Sequence, residues 1–215
     1  IHRSAFLFKP IKCMRLFISF LFLLCSNLIW CQSSNDSWKV GFSYGTGNAI
    51  KNTDYTYTNS SYKVLFYKKW RTYKKIDFSF FFGPEYNHAS HQLLNFYFVK
   101  PETPNYEAKR DAFMQLKTIN EGVLHVGMTV QKKISKRSAV YVLGSISPML
   151  TDTETERLSK GFAFCDILAL GYTLDLKYFA LDVRPSFRHT SYAGLNTSNA
   201  GFNTKNIELG IIFPL

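Results

Sequence analysis

From residue 38 onward, apolar and polar side chains alternate with period two over most of the chain. Neighbouring side chains on an extended strand point to opposite faces, so this pattern predicts strands with one apolar face. Eight segments carry it: 38–46, 61–70, 75–86, 119–131, 139–149, 162–174, 177–190 and 205–215. The cleanest is 177–190, where Phe179, Leu181, Val183, Pro185 and Phe187 oppose Asp182, Arg184, Ser186 and Arg188. In 75–86, Phe78, Phe80, Phe82 and Tyr86 oppose Asp77, Ser79, Gly83 and Glu85; in 119–131, Leu124, Val126, Met128 and Val130 oppose Glu121, His125 and Thr129.

The connections alternate as well. Segments 71–74, 132–137 and 175–176 are short, whereas 47–60, 87–118, 150–161 and 191–204 are long. Short turns on one side and long loops on the other predict an all-β, eight-stranded antiparallel transmembrane barrel, with the short turns on the periplasmic side. A soluble two-sheet sandwich alternates too, but it needs neither that asymmetry nor the aromatic load of 17%. Eight strands enclose a space just wide enough for side chains. The charges on the inner face (Asp77, Glu85, Glu121, Asp182, Arg184, Arg188 and Glu208) should therefore pair and plug the interior, with His125 among them.

The start of the chain breaks the alternation. Met14-Arg15 precedes an apolar run from Leu16 to Cys25. A basic head and an apolar stretch of this length read as a secretory signal. Met14 is the expected initiator, cleavage is expected near Cys31 and Gln32, and Trp30 disfavours lipidation of Cys31. This divides the chain into upstream residues and signal peptide at 1–32 and a bacterial outer-membrane barrel domain at 33–215. Export leaves Cys165 as a packing residue with no disulfide framework. Net charge is +11; subtracting Arg3, Lys9, Lys12 and Arg15 leaves +7 for the exported part. That charge suits an anionic membrane surface. No nucleic acid, metal or cofactor is expected, and a homodimer stays open.

The candidate chemistry lies at the end of the seventh strand, in Phe187-Arg188-His189-Thr190-Ser191-Tyr192-Ala193-Gly194-Leu195 and then Asn199-Ala200-Gly201-Phe202-Asn203. His189 and Ser191 share the odd-numbered, lipid-facing row with Phe179, Leu181, Val183 and Phe187, at the end opposite the short turns. A serine nucleophile with a histidine base at the headgroup boundary would suit ester chemistry on a lipid; an interfacial histidine followed by an ordinary loop serine is the alternative reading. The acidic loop 151–156 and the pair His88 and His91 read as solvated loop residues.

The stretch 187–203 resembles the signature of the outer-membrane lipid A 3-O-deacylase family (PagL-like, also grouped as acyloxyacyl hydrolases): His-x-Ser-Asn-Ala on the penultimate strand, then Asn-x-Gly shortly before an acid. His189, Ser191, Ala193, Leu195, Asn199 and Gly201 match it. The resemblance implies a serine esterase that removes an acyl chain from lipopolysaccharide on the barrel exterior. Ser191 would be the nucleophile, His189 the general base, and Asn199 an oxyanion donor, with Tyr192, Ala193 and Gly194 beside it as oxyanion or substrate-positioning residues. Two positions depart: Tyr192 follows the serine, and Asn203 stands where the family has its acid. Asn203 keeps outward parity and can orient the imidazole, whereas Glu208 has inward parity. The alternative reading, a non-catalytic small barrel with a structural or surface-binding role, draws on these departures and on the long loop 87–118.

Overall fold

The computed structural model describes residues 38–193 and 200–215. The leader expected in 1–32 lies outside the described residues, as do Gly194 and Asn199. Eight strands follow one another: β1 (Trp38–Ala49), β2 (Tyr55–Tyr73), β3 (Ile76–Leu93), β4 (Lys117–Lys133), β5 (Ser138–Thr151), β6 (Gly161–Asp175), β7 (Ala180–Ser191) and β8 (Phe202–Pro214). Each pairs antiparallel with its neighbour in the chain, and β1 closes onto β8. Closure satisfies every strand's ladder and leaves no edge, as a sheet in hydrocarbon requires.

The strands run further than alternation alone predicts. β2 and β3 stay in register to Tyr55↔Leu93, well past the polar stretch where the pattern fades. Ladder hydrogen bonds hold a strand whatever its side chains, so pairing continues where both faces meet polar surroundings. The connection expected at 47–60 shrinks to 50–54, and that expected at 87–118 shrinks to 94–116. The latter holds a short 3-10 turn (Phe96–Phe98) and a helix, α1 (Tyr106–Phe113), over a small cluster of Leu93, Val99 and Phe113. His88 and His91 consequently lie in β3 rather than in a loop.

The exterior carries a continuous apolar band, including Leu124, Val126, Ile146, Leu168, Leu170 and Leu209, all at least half exposed. Water does not tolerate a patch of this extent on a monomer, whereas lipid does. Aromatic side chains mark its borders. Trp38, Trp70, Phe80 and Phe82 cluster near the short-turn end. Tyr44, Tyr62 and Tyr86 are direct cross-strand partners on β1–β3, below outward Thr46, Asn48, Thr58 and Ser60.

The interior is solid. Lys63 Nζ lies 3.1 Å from Glu85 and 2.8 Å from Glu208, and Arg184 Nε lies 3.0 Å from Glu208. Arg188 bridges Glu85 and Glu121, the latter at 2.7 Å. His125 meets Glu85 at 2.8 Å through Nε2 and Ser147 at 2.8 Å through Nδ1. These are the inward charges of the alternating strands, paired with one another as barrel size requires. Leu65, Phe81, Leu143 and Ile167 pack among the inward side chains. Above them, Tyr55, Tyr57, His91 and Phe202 form an aromatic cluster, with Phe202 4.7 Å from the Tyr57 ring and 5.0 Å from His91. His91 Nε2 meets Glu156 at 2.9 Å. Glu156 is thus buried, not a solvated member of the acidic loop, because the His91 ring waits at the top of β3 as its hydrogen-bond partner.

Candidate active site

β7 rises through the barrel wall and ends at Ser191; β8 returns from Phe202. His189 is the direct cross-strand partner of Asn203. Its Nδ1–H donates to Asn203 Oδ1 at 2.7 Å. An amide oxygen only accepts, so the bond places the ring proton on Nδ1 and leaves the Nε2 lone pair free to act as a base. Asn203 thus holds the ring and its tautomer from the neighbouring strand.

Ser191 stands one outward position above His189 on the same strand, roughly 7 Å away along the chain. It is only 8% exposed. Its Oγ accepts the Ala193 N–H at 3.4 Å, with Ala193 in the left-handed region at φ 51°. Among the described residues no hydrogen bond joins Ser191 Oγ to the imidazole. The structure therefore brings His189 and Asn203 into contact and sets Ser191 adjacent to them.

The chain after the site is pinned from two sides. Gly201 has φ 60°, and a Cβ there would lie 2.2 Å from the Thr190 carbonyl oxygen and 3.3 Å from Ser191 Cβ. Only glycine lets the returning chain pass this close to the serine. The connection 152–160 supplies the second hold. Arg157 Nε donates to Gly201 O at 2.8 Å, and Gly201 N donates back to Arg157 O at 3.2 Å. The same guanidinium sits over the rings of Tyr55 at 4.4 Å and Phe98 at 4.8 Å. Tyr192 turns away from the serine: it is buried, and its hydroxyl donates to Ser159 O. It anchors the loop from that position. Glu208 lies inside the barrel on Lys63.

Sequence reasoning missed Arg157 and Asp166. Arg157 sits in a loop whose fold no periodicity reveals. Asp166 was visible by parity, because it shares the outward row of β6 with Phe162, Phe164, Leu168 and Leu170. It is the direct cross-strand partner of His189. One pair toward the membrane, Leu168, Phe187 and the exposed Lys205 line up across β6–β8. Leu168, Leu170, Pro185, Phe187 and Ile207 line a shallow exterior depression of about 950 Å³ there. Among the described residues, no group of three or more His, Cys, Asp and Glu is placed to hold a metal ion.

Fold and site together define a small outer-membrane barrel with a serine, a histidine and an asparagine on its outward face, at the end remote from the short turns. The chain belongs to the lipid A 3-O-deacylase (PagL) family, whose family model matches residues 27–211. Among solved structures, it is similar to the outer membrane enzyme PagL with TM-score 0.54 and 11% identity, covering 81% of this chain and 99% of that one. It is also similar to Neisserial surface protein A (TM-score 0.46, 9% identity, 83% of this chain and 97% of that one). Ail, the attachment invasion locus protein of Yersinia pestis, gives TM-score 0.46 at 8% identity over 84% of this chain and 99% of that one. No curated protein matches the chain.

Proposed function

We propose that the chain hydrolyses the 3-O fatty acyl ester of lipid A, with Ser191 as nucleophile and His189 as general base and acid. The observation that carries the reading is the 2.7 Å bond from His189 Nδ1 to Asn203, which leaves Nε2 as the free base on the same outward row as Ser191. The family membership is consistent with it. Lipid A offers its ester at the depth of this row, and the apolar depression beneath suits the acyl chain.

In the first half-reaction Ser191 Oγ bonds to the ester carbonyl carbon while its proton passes to His189 Nε2. The carbon–oxygen bond to the sugar then breaks, and His189 returns the proton to the departing sugar hydroxyl. In the second half, water attacks the acyl-serine, gives its proton to His189, and the fatty acid leaves as Ser191 regains a hydrogen. Oxyanion stabilisation is assigned to Asn199 and to the backbone at Ala193 and Gly194.

Mass spectrometry of lipid A from cells with and without the protein tests it. The expected result is loss of one ester-linked acyl chain that Ser191→Ala and His189→Ala both abolish. An unchanged acyl pattern overturns the reading. Ser191-dependent labelling by a fluorophosphonate probe in micelles is the expected companion result.

A further inference from the structure

The third position on β8 is an amide, which orients an imidazole but carries no charge to balance an imidazolium. We propose that Asp166, on the opposite neighbour strand β6, is the charged positioning residue of this site. The inference rests on the deacylase reading above.

Geometry is the first argument. His189 pairs with Asn203 on one side and Asp166 on the other, so it stands between them in a single outward row. Directly opposed side chains have Cβ atoms about 5 Å apart, within reach of a carboxylate and an imidazole.

Placement is the second argument. Among the described residues, Asp166 is the one carboxylate on an outward strand row; Glu85, Glu121, Asp182 and Glu208 all face inward. Its row neighbours are Phe162, Phe164, Leu168 and Leu170. An acid that interrupts such a row at the headgroup boundary adds nothing to the apolar band, and an ionisable group kept on a lipid-facing row points to function.

Satisfaction is the third. Glu85, Glu121 and Glu208 each have a cationic partner. Asp166 Oδ1 is buried with no hydrogen-bond partner, a state that costs free energy unless a partner arrives. The step that brings one is the reaction itself. When Ser191 gives its proton to Nε2, the ring becomes a cation beside the Asp166 carboxylate. The two tasks of a triad acid are thus split: Asn203 fixes the tautomer from β8, and Asp166 balances the charge from β6.

Steady-state acyl release from lipid A by the purified protein in detergent micelles tests this. Asp166→Asn should lower kcat about 10- to 100-fold and leave KM within about twofold, because the charge matters after substrate is bound. Asp166→Asn combined with Asn203→Asp should recover most of the loss, since the second change returns a carboxylate to the ring. Asp166→Leu matches its apolar row, so the barrel should resist urea at least as well as wild type while kcat still falls. A merely structural role gives the opposite outcome, with resistance to urea and kcat falling together and no rescue. Ser191-dependent release that survives Asp166→Asn and Asp166→Leu at the wild-type rate overturns the proposal alone. Absence of Ser191-dependent release from the wild-type protein overturns the deacylase reading, and this inference with it.

Discussion

Arg157 and Gly201 hold each other by two hydrogen bonds, Nε to carbonyl at 2.8 Å and amide to carbonyl at 3.2 Å, although they belong to different connections at the rim. The clamp sits one residue before β8 and so fixes where the chain re-enters the barrel beside Ser191. Arg157→Ala should lower kcat about tenfold or more, since small misplacements in a catalytic array are costly. The strands should be unaffected, because the clamp lies outside the ladder. Acyl release, alongside circular dichroism of the same preparation, checks both halves.

Gly201→Ala removes the close passage itself. An alanine there must adopt φ 60° and bring its Cβ to 2.2 Å from Thr190 O. Strain of about 1–3 kcal/mol at the left-handed position adds to the clash, so the chain must shift away from Ser191. Activity should fall at least as far as in Arg157→Ala, with a lower urea midpoint. Wild-type values for both would show that the rim adapts.

Asn203→Ala takes the acceptor from His189 Nδ1. The ring is then free to rotate and to exchange tautomers, and kcat should drop about 100-fold with KM little changed. Asn203→Asp keeps the acceptor and adds charge, so it should remain active. Parallel kinetics of the two variants separate orientation from charge.

Glu85 receives Lys63, Arg188 and His125 at once. Glu85→Ala strands three cationic or polar partners in a sealed interior, and removing one member of a buried pair costs about 3–5 kcal/mol. Urea unfolding in micelles should show that loss, while Glu85→Gln, which retains hydrogen bonding, should lose less. An unchanged midpoint would mean that water enters the interior.

Period two made the fold legible because lipid outside and packed charge inside impose opposite chemistry on alternate residues. Phe179 through Phe187 could hardly be anything but a wall. The rule weakens where the wall leaves the membrane: Thr58, Asn59, Ser60 and Ser61 are polar on both faces, so the ends of β2 and β3 were hidden. The site divided in the same way. Parity placed His189 and Asn203 on the outside and sent Glu208 inward, because all three lie within regular strands. Tyr192 and Arg157 escaped it, since their positions depend on a loop-to-loop contact that leaves no period. Asp166 obeyed the rule but broke the chemistry of its row, and such an exception was the signal available for it.

The ion-paired interior has a consequence for how turnover must be measured. Among the described residues, Lys63, Glu85, Arg188 and Glu208 fill the lumen; on the proposed reading a lipid therefore arrives sideways, by diffusing in the leaflet. The encounter is two-dimensional. Diluting the substrate with inert detergent at constant bulk concentration should therefore slow the reaction, and the meaningful Michaelis constant is a mole fraction at the surface.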